Sequence, residues 1–256
     1  MIKEKLIRQL EGRAEGAFVI RSLKDGQTWE YRSETVTASA SLIKMFILTE
    51  AMVRVKDGRL SLADRIPVQS SDVVPFSVLE FLNPRDYTLE ELLRLMIVYS
   101  DNTATNVMID FLGMERINRC IRELGFGKSL LQRKMMDFEA AKRGKENLTS
   151  AGEMAELLQR LYDGRLLGEP YDSKMLEIMK GQADECMMRV DLPDELPMAR
   201  KSGELDCLNH DIAIVYGEKT DYIYCFFVWD AASNNDAREI LARTSKIVYD
   251  FFEENN

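Results

Sequence analysis

Asp211-Ile212-Ala213-Ile214-Val215-Tyr216 and Tyr222-Ile223-Tyr224-Cys225-Phe226-Phe227-Val228-Trp229, separated by Gly217-Glu218-Lys219-Thr220, decide the fold. Both runs are rich in β-branched and aromatic residues, and a short polar break containing Gly between two such runs reads as a hairpin. A second hairpin lies at the other end of the chain. There Ala17-Phe18-Val19-Ile20 and Thr28-Trp29-Glu30-Tyr31 flank Lys24-Asp25-Gly26-Gln27, whose Asp-Gly supplies the positive φ of a tight turn. Ile2, Leu6 and Leu10, four apart, place a helix before the first hairpin, and Asp236 to Phe252 reads as a helix after the last. Between about residues 41 and 181 the pattern is helical. Capping boxes at Thr88-x-x-Glu91 and Ser150-x-x-Glu153 mark two helix starts, and an Ile117, Ile121, Leu124 stripe closes at Gly125. Strand signals return after Pro197. This order implies an α+β fold: one antiparallel sheet of about five strands, built from both chain ends, flanked by helices, with an inserted all-helical lobe. The expected organisation is a single domain over 1–256, the sheet lobe from about 1–35 and 185–256 and the helical lobe about 36–184.

The 256 residues carry 34 Lys+Arg against 43 Asp+Glu, a formal charge of −9. That balance offers no basic footprint to nucleic acid or an anionic membrane, and no apolar run reaches the roughly 18 residues of a bilayer span, so the expected partner is a small molecule. The start Met1-Ile2-Lys3-Glu4-Lys5-Leu6 lacks the apolar core of a signal peptide. As written, the chain is expected in the cytoplasm; it is exported if Met1 marks a mature boundary. Cys120, Cys186, Cys207 and Cys225 are dispersed without metal spacing and read as buried or idle thiols, with a disulfide reserved for an exported form. The single histidine, His210, leaves little material for a Ser-His-Asp triad or a His-rich zinc site. No metal or cofactor is expected, and a nucleophile here needs a different base.

Three short motifs carry chemistry. Ser41-Leu42-Ile43-Lys44, after Ala38-Ser39-Ala40, reads as a serine in the first turn of a buried helix. Residues three apart share a helix face, so Lys44 lies beside the Ser41 hydroxyl, and burial lowers a lysine pKa enough for it to act as a base. Alone this pattern says little, since S-x-x-K arises by chance on the order of once in a chain this long. Ser100-Asp101-Asn102 forms a junction between two helices, built from residues that are also ordinary turn and N-cap formers. Lys201-Ser202-Gly203 falls where a strand is expected and offers an ammonium, a hydroxyl and, at Gly203, close backbone approach; its bland alternative is a surface turn. All three occurring in this order, in fitting contexts, is far less common by accident than any one of them.

On these residues the sequence resembles the class A β-lactamases and the related penicillin-binding serine enzymes, whose signature the three motifs form. The resemblance covers nearly the whole chain and implies a β-lactamase-like fold. It further implies that Ser41 is acylated by a β-lactam or a related peptide or ester, with Lys44 in proton transfer and Ser100, helped by Lys201, relaying a proton to the leaving nitrogen. Asn102 would bind the substrate's side-chain amide and hold Lys44, the backbone amides of Ser41 and Glu204 would form the oxyanion hole, and Ser202 and Gly203 would complete the substrate-binding edge. His210 falls where many class A enzymes carry an arginine for the substrate carboxylate, and is expected either to do a weaker version of that task or to be a structural histidine satisfied by a backbone carbonyl. One departure stands out. The class A loop Arg-x-Glu-x-x-x-Asn corresponds to Arg133-Lys134-Met135-Met136-Asp137-Phe138-Glu139, so Met135, which cannot take a proton, stands at the glutamate position. Asp137 or Glu139 substitutes only if the loop is shifted. The expectation is therefore acylation with slow release, against two alternatives: a non-catalytic penicillin-binding sensor, and a cytoplasmic D-alanyl peptidase or esterase.

Overall fold

Both hairpins form, and they meet in one sheet. The computed structural model describes residues 2–254, apart from the Glu254 side chain; Met1, quoted above at the chain start, and residues 255–256 lie outside the described residues. Helix α1 (Ile2–Leu10) precedes strands β1 (Glu15–Ser22) and β2 (Thr28–Tyr31). A short strand β3 (Thr37–Ala38) and a 3₁₀ turn at Ala40–Ile43 lead into α2 (Lys44–Lys56). There follow β4 (Arg65–Val68), β5 (Arg85–Thr88), α3 (Leu89–Val98), α4 (Asn102–Leu112), α5 (Met114–Glu123) and α6 (Phe138–Lys142). Then come β6 (Leu148–Thr149), α7 (Ala151–Tyr162) and α8 (Tyr171–Met179). The chain returns to the sheet as β7 (Met198–Leu205), β8 (Leu208–Val215) and β9 (Tyr222–Trp229), and closes on α9 (Asn234–Glu254). The strand order β2-β1-β9-β8-β7 is antiparallel throughout, so the two ends of the chain pair at β1 and β9 and leave β7 as an edge.

The sheet separates two cores. Side chains alternate across a strand: Tyr222, Tyr224, Phe226 and Val228 of β9 pack with Phe18, Leu6, Ile240 and Leu241 under α1 and α9, whereas Ile223, Cys225 and Phe227 face the helical lobe. Covered on both faces, β9 reads as an unbroken apolar run, and each such Phe buried contributes about 1.5–3 kcal/mol. Helix α2 runs through the middle of the lobe, with Lys44 to Met52 all buried, which is why its apolar residues go round the whole cylinder. Lys44 therefore enters the interior on the first residue of that helix.

The structure refines the sequence reading in three places. Ser41 sits in the 3₁₀ turn, and the α-helix proper begins at Lys44. The inserted lobe is not all-helical: β4 pairs with β5, and β3 pairs with β6. The Thr88 capping box closes in both directions. At Ser150 only the serine half forms, because the Glu153 carboxylate instead takes the Lys128 amide and the Ser129 hydroxyl. All four cysteines are free, Cys120 and Cys225 being buried. Among the described residues no helix is long and apolar enough to cross a membrane.

Candidate active site

The three motifs converge on one cleft of about 460 Å³ between the 3₁₀ turn, the α3–α4 junction and β7. Four non-glycine residues with left-handed backbone line it: Ala40 (φ 46°), Phe76 (φ 60°), Ser100 (φ 54°) and Met136 (φ 63°). Such conformations cost on the order of 1–3 kcal/mol each and persist where surrounding structure over-determines them. The surroundings of the Ser41 turn do so. The Ser39 amide donates to the Asn147 carbonyl at 2.7 Å, and the Leu42 amide donates to the Ser39 carbonyl at 3.0 Å. Gly203 of β7 presses against the turn from the other side: a Cβ there would stand 3.1 Å from both the Ser41 nitrogen and the Ala40 Cβ. Close backbone approach, the reason for a glycine at this point, is thus met by the Ser41 turn itself.

Behind Ser41 lie two fully buried lysines that share one hydroxyl. Lys44 Nζ donates to the Ser100 carbonyl at 2.6 Å, to Ser100 Oγ at 3.0 Å and to Asn102 Oδ1 at 3.0 Å. Lys201 Nζ donates to Ser100 Oγ at 3.1 Å and to the Ser202 carbonyl at 2.7 Å. Burial pushes the Lys44 pKa well below the ordinary lysine value, the neighbouring Lys201 charge adds to this, and Asp101 opposes it. Burial likewise brings Lys201 down to about 7, against Asp184 and Asp211. Two adjacent ammonium groups in a dry site are mutually unfavourable, so the arrangement favours shedding a proton. A hydroxyl has one hydrogen and two acceptor sites. Ser100 can therefore pass a proton between the two amines or onward into the cleft.

The junction that aims Ser100 is held by the aspartate beside it. Asp101, fully buried, caps α4 by accepting from the Ala104 amide at 2.7 Å and reaches the Leu79 amide at 3.1 Å. It is an N-cap, as its residue type suggests, and does not face the cleft. Asn102 does: its oxygen holds Lys44, and its Nδ2 donates to the Pro75 carbonyl at 3.2 Å.

The loop before α6 gives the cleft an apolar wall of Met135, Met136 and Phe138, and Phe76 and Tyr99 add aromatic surface beside the α3–α4 junction. The Asn106 side chain fixes the Met135 backbone at both ends, accepting from its amide at 2.8 Å and donating to its carbonyl at 3.1 Å. Arg133, forked onto Glu146, anchors the start of the loop, and Asn147 ties it to the Ser41 turn by accepting from the Gln132 and Arg133 amides at 2.7 and 3.0 Å. Neither nearby carboxylate turns inward. Asp137 caps α6 by accepting from the Ala140 amide, and Glu139 is 72% exposed and paired with Lys142.

One expected ligand is elsewhere. His210 lies on the sheet face of Lys201 and Gly203 but is fully buried behind the Ser41 turn, stacked on Phe227 with ring centroids 4.2 Å apart. Its Nδ1 accepts from the Val228 amide, so Nε2 carries the hydrogen and donates to the Ala38 carbonyl at 3.0 Å. Burial holds its pKa down to about 4, so it is neutral and braces β3. The carboxylate-binding role is corrected to a structural one: a ring covered by Ala38 and Phe227 has no face left for substrate. The Glu204 carboxylate lines the cleft mouth, where it is gripped by Arg238 at 2.7 Å and by Asn209 at 2.8 Å. Asn106, Asn147 and Asp184 were not singled out from the sequence. The two asparagines carry no spacing signal, acting through backbone groups distant in sequence, and Asp184 reaches the cleft from an irregular segment.

Comparison with known proteins agrees with this geometry. Residues 3–252 match the model of the β-lactamase enzyme family. A β-lactamase of Rhodobacter capsulatus is 30% identical over 220 residues, 83% of this chain and 74% of that protein. The OXY-1 β-lactamase of Klebsiella oxytoca is 28% identical over 256 residues, 96% of this chain and 88% of its own. Among solved structures, a Sphaerobacter thermophilus β-lactamase superposes with a TM-score of 0.89 at 22% identity, covering 100% of this chain and 98% of that one. PBP-A superposes at 0.90 with 24% identity, covering 99% and 96%. With the family match spanning nearly the whole chain and the serine–lysine cleft assembled at its centre, the protein belongs to the β-lactamase enzyme family and is class A-like.

Proposed function

We propose that the protein is an active-site-serine hydrolase that forms an acyl-enzyme on Ser41 from β-lactams or related acyl donors and releases it slowly. The observation that carries this reading is the Ser100 hydroxyl held between Lys44 and Lys201. In the acylation step the Ser41 Oγ bonds to the acyl carbon and the carbon–nitrogen bond breaks. The serine proton passes to Lys44 in its neutral form and, through Ser100 and Lys201, reaches the departing nitrogen. The amides of Ser41 and Glu204 stabilise the oxyanion, an arrangement favoured by the close approach of Gly203 to the Ser41 nitrogen. Asn102 orients Lys44. Slow release is supported by the apolar wall, where Met135 offers no base to a water and the carboxylates of Asp137 and Glu139 are engaged elsewhere. A variant of PBP-A has been solved as an acyl-enzyme complex with penicillin G.

Intact-mass spectrometry after incubation with penicillin or an activated ester is expected to show one acyl group on the wild type and none on Ser41→Ala. An adduct that survives Ser41→Ala, or none from any donor, would overturn the reading. The Met135 wall equally favours a sensor that acylates once. With a chromogenic cephalosporin, a burst of one equivalent followed by no further turnover identifies the sensor, and a burst followed by slow steady release identifies the hydrolase.

A further inference from the structure

We propose that Asp184 is a positioning residue of the proton path: it holds β7 to the Ser100 junction and keeps the proton of the lysine pair on Lys201, leaving Lys44 free to take that of Ser41. This rests on the Ser41 acyl-enzyme reading. The two ends of the path sit on separate elements, Ser100 between α3 and α4 and Lys201 on the edge strand β7. The irregular segment between α8 and β7 ties them together. On one side, the Gln182 side chain donates to the Ile97 carbonyl at 3.1 Å and the Ala183 amide to the Val98 carbonyl at 3.0 Å, at the end of α3 that leads into Ser100. The Gln182 oxygen accepts from the Asp184 amide at 3.1 Å, and the Asp184 carboxylate accepts from the Cys186 amide at 2.9 Å. On the other side that carboxylate accepts from the hydroxyl of Ser202, next to Lys201 and in the wall of the cleft. Further along the segment, the Met188 amide donates to Asp211 of β8, which stands opposite Ser202 in the strand register.

The charges around the two lysines differ. Lys44 gives its hydrogens to neutral acceptors, the Ser100 carbonyl and hydroxyl and the Asn102 oxygen. The carboxylate that favours its charge, Asp101, is turned to the amides of Ala104 and Leu79. Lys201 faces Asp184 and Asp211, with Arg200 beside it on β7 and Lys44 across Ser100. Arg200 acts on both of those carboxylates and approaches Asp211 to 3.7 Å, so one guanidinium serves two anions and a charged Lys201 completes the balance. A nearby opposite charge favours the charged form, so the proton rests on Lys201. Acylation then balances. The Ser41 Oγ bonds to the acyl carbon as its proton goes to Lys44, the carbon–nitrogen bond breaks, and Ser100 gives its hydrogen to the departing nitrogen and regains one from Lys201. Lys44 gains the charge that Lys201 loses.

A leaving nitrogen needs that returned proton, whereas nitrophenolate departs as an anion, so penicillin G and p-nitrophenyl phenylacetate separate proton placement from mere support. Acylation of Ser41 by each is followed by rapid-quench mass spectrometry across pH, in the wild type and in Asp184→Asn. The amide keeps an oxygen for the Cys186 amide and the Ser202 hydroxyl and lacks the charge. In the wild type, acylation by penicillin should fall as pH rises through about 7, where Lys201 gives up its proton, and acylation by the ester should not. In Asp184→Asn the fall should begin at lower pH. The wild-type to variant ratio for penicillin should then grow about three- to tenfold between about pH 5.5 and 8.5, while that for the ester stays flat. Asp211 limits the change: burial raises its pKa to about 7, and without Asp184 beside it Asp211 ionises sooner and replaces part of the lost charge. A penicillin ratio as flat as the ester's would overturn the proton placement. So would wild-type acylation by penicillin that does not fall above about pH 7, a measurement that needs no variant to fold. No adduct from either donor, or adducts that survive Ser41→Ala, would overturn the acyl-enzyme reading and this inference with it.

Discussion

The β7 wall and the Met135 wall face the same serine and are built from opposite materials. On one side, two buried lysines, a serine hydroxyl and an asparagine amide, carried by α2, the α3–α4 junction and β7, are joined by hydrogen bonds of 2.6–3.1 Å. On the other, methionine and phenylalanine side chains offer no polar group; Asn106 holds the Met135 backbone, Asn147 holds that of Arg133, and Met135 packs into the core of the helical lobe. Under the proposed function the difference means that making and breaking an acyl-enzyme would be separately furnished: the lysine side would handle the proton of the serine, and the Met135 side carries no base for a water.

The largest effect is expected from erasing that difference. Met135→Glu puts a carboxylate on the apolar wall, and a positioned base contributes about 10²–10⁴-fold. Loss of the acyl adduct, followed by mass, should accelerate by about that factor while acylation changes only a few-fold. An unchanged adduct lifetime would mean that the wall does not face the deacylating water.

His210→Gln probes the support beneath the β7 wall. The folded protein holds the imidazole neutral, with its pKa down at about 4 from an ordinary 6.5. Above 6.5 neither state pays for this. As pH falls towards 4 the unfolded chain takes up the proton and the folded one does not, so wild-type stability drops by about 3 kcal/mol. The glutamine variant lacks that drop, so the wild-type advantage over it should grow from pH 4 to 6.5 in denaturant titrations. Asp211, whose pKa burial raises to about 7, bends both profiles the other way and cancels in the difference. A constant difference across this range would place a charged imidazole in the fold.

The smallest effect belongs to Glu139→Gln. Its ion pair with Lys142 is exposed on both sides, so stability should shift by no more than about 0.5 kcal/mol and adduct lifetime not at all. A collapse of turnover in this variant would show that the loop carries a base after all.

Much of this was legible in the sequence where a local rule and the tertiary structure agree. The terminal hairpins, the Thr88 box and the Gly125 cap are such places. The β4–β5 ribbon was not legible, because Arg65–Val68 and Arg85–Thr88 are four-residue, charge-bearing strands and one contains Pro67. Ser41, Lys44, Ser100 and Lys201 were singled out through residue type and order; the structure places Ser41 and Ser100 in one cleft and joins both lysines to Ser100 from behind. The left-handed Ala40 and Ser100 carry no glycine to announce them. Counting along β8 could not tell whether His210 faces ligand or core, because every residue of that strand is buried.

The approach of Gly203 to Ser41 has a consequence for how this protein behaves among its own copies. β7 ends the sheet, and an open strand edge is a template on which another chain can add. Here the 3₁₀ turn lies across the Gly203 end of that edge, so a neighbouring strand meets a turn where it needs unpaired amides. The other edge, β2, is four residues long and bears Glu30. The Ser41 turn thus also shields a sheet edge, and a substitution that loosens it is expected to favour self-association as well as to disturb the cleft.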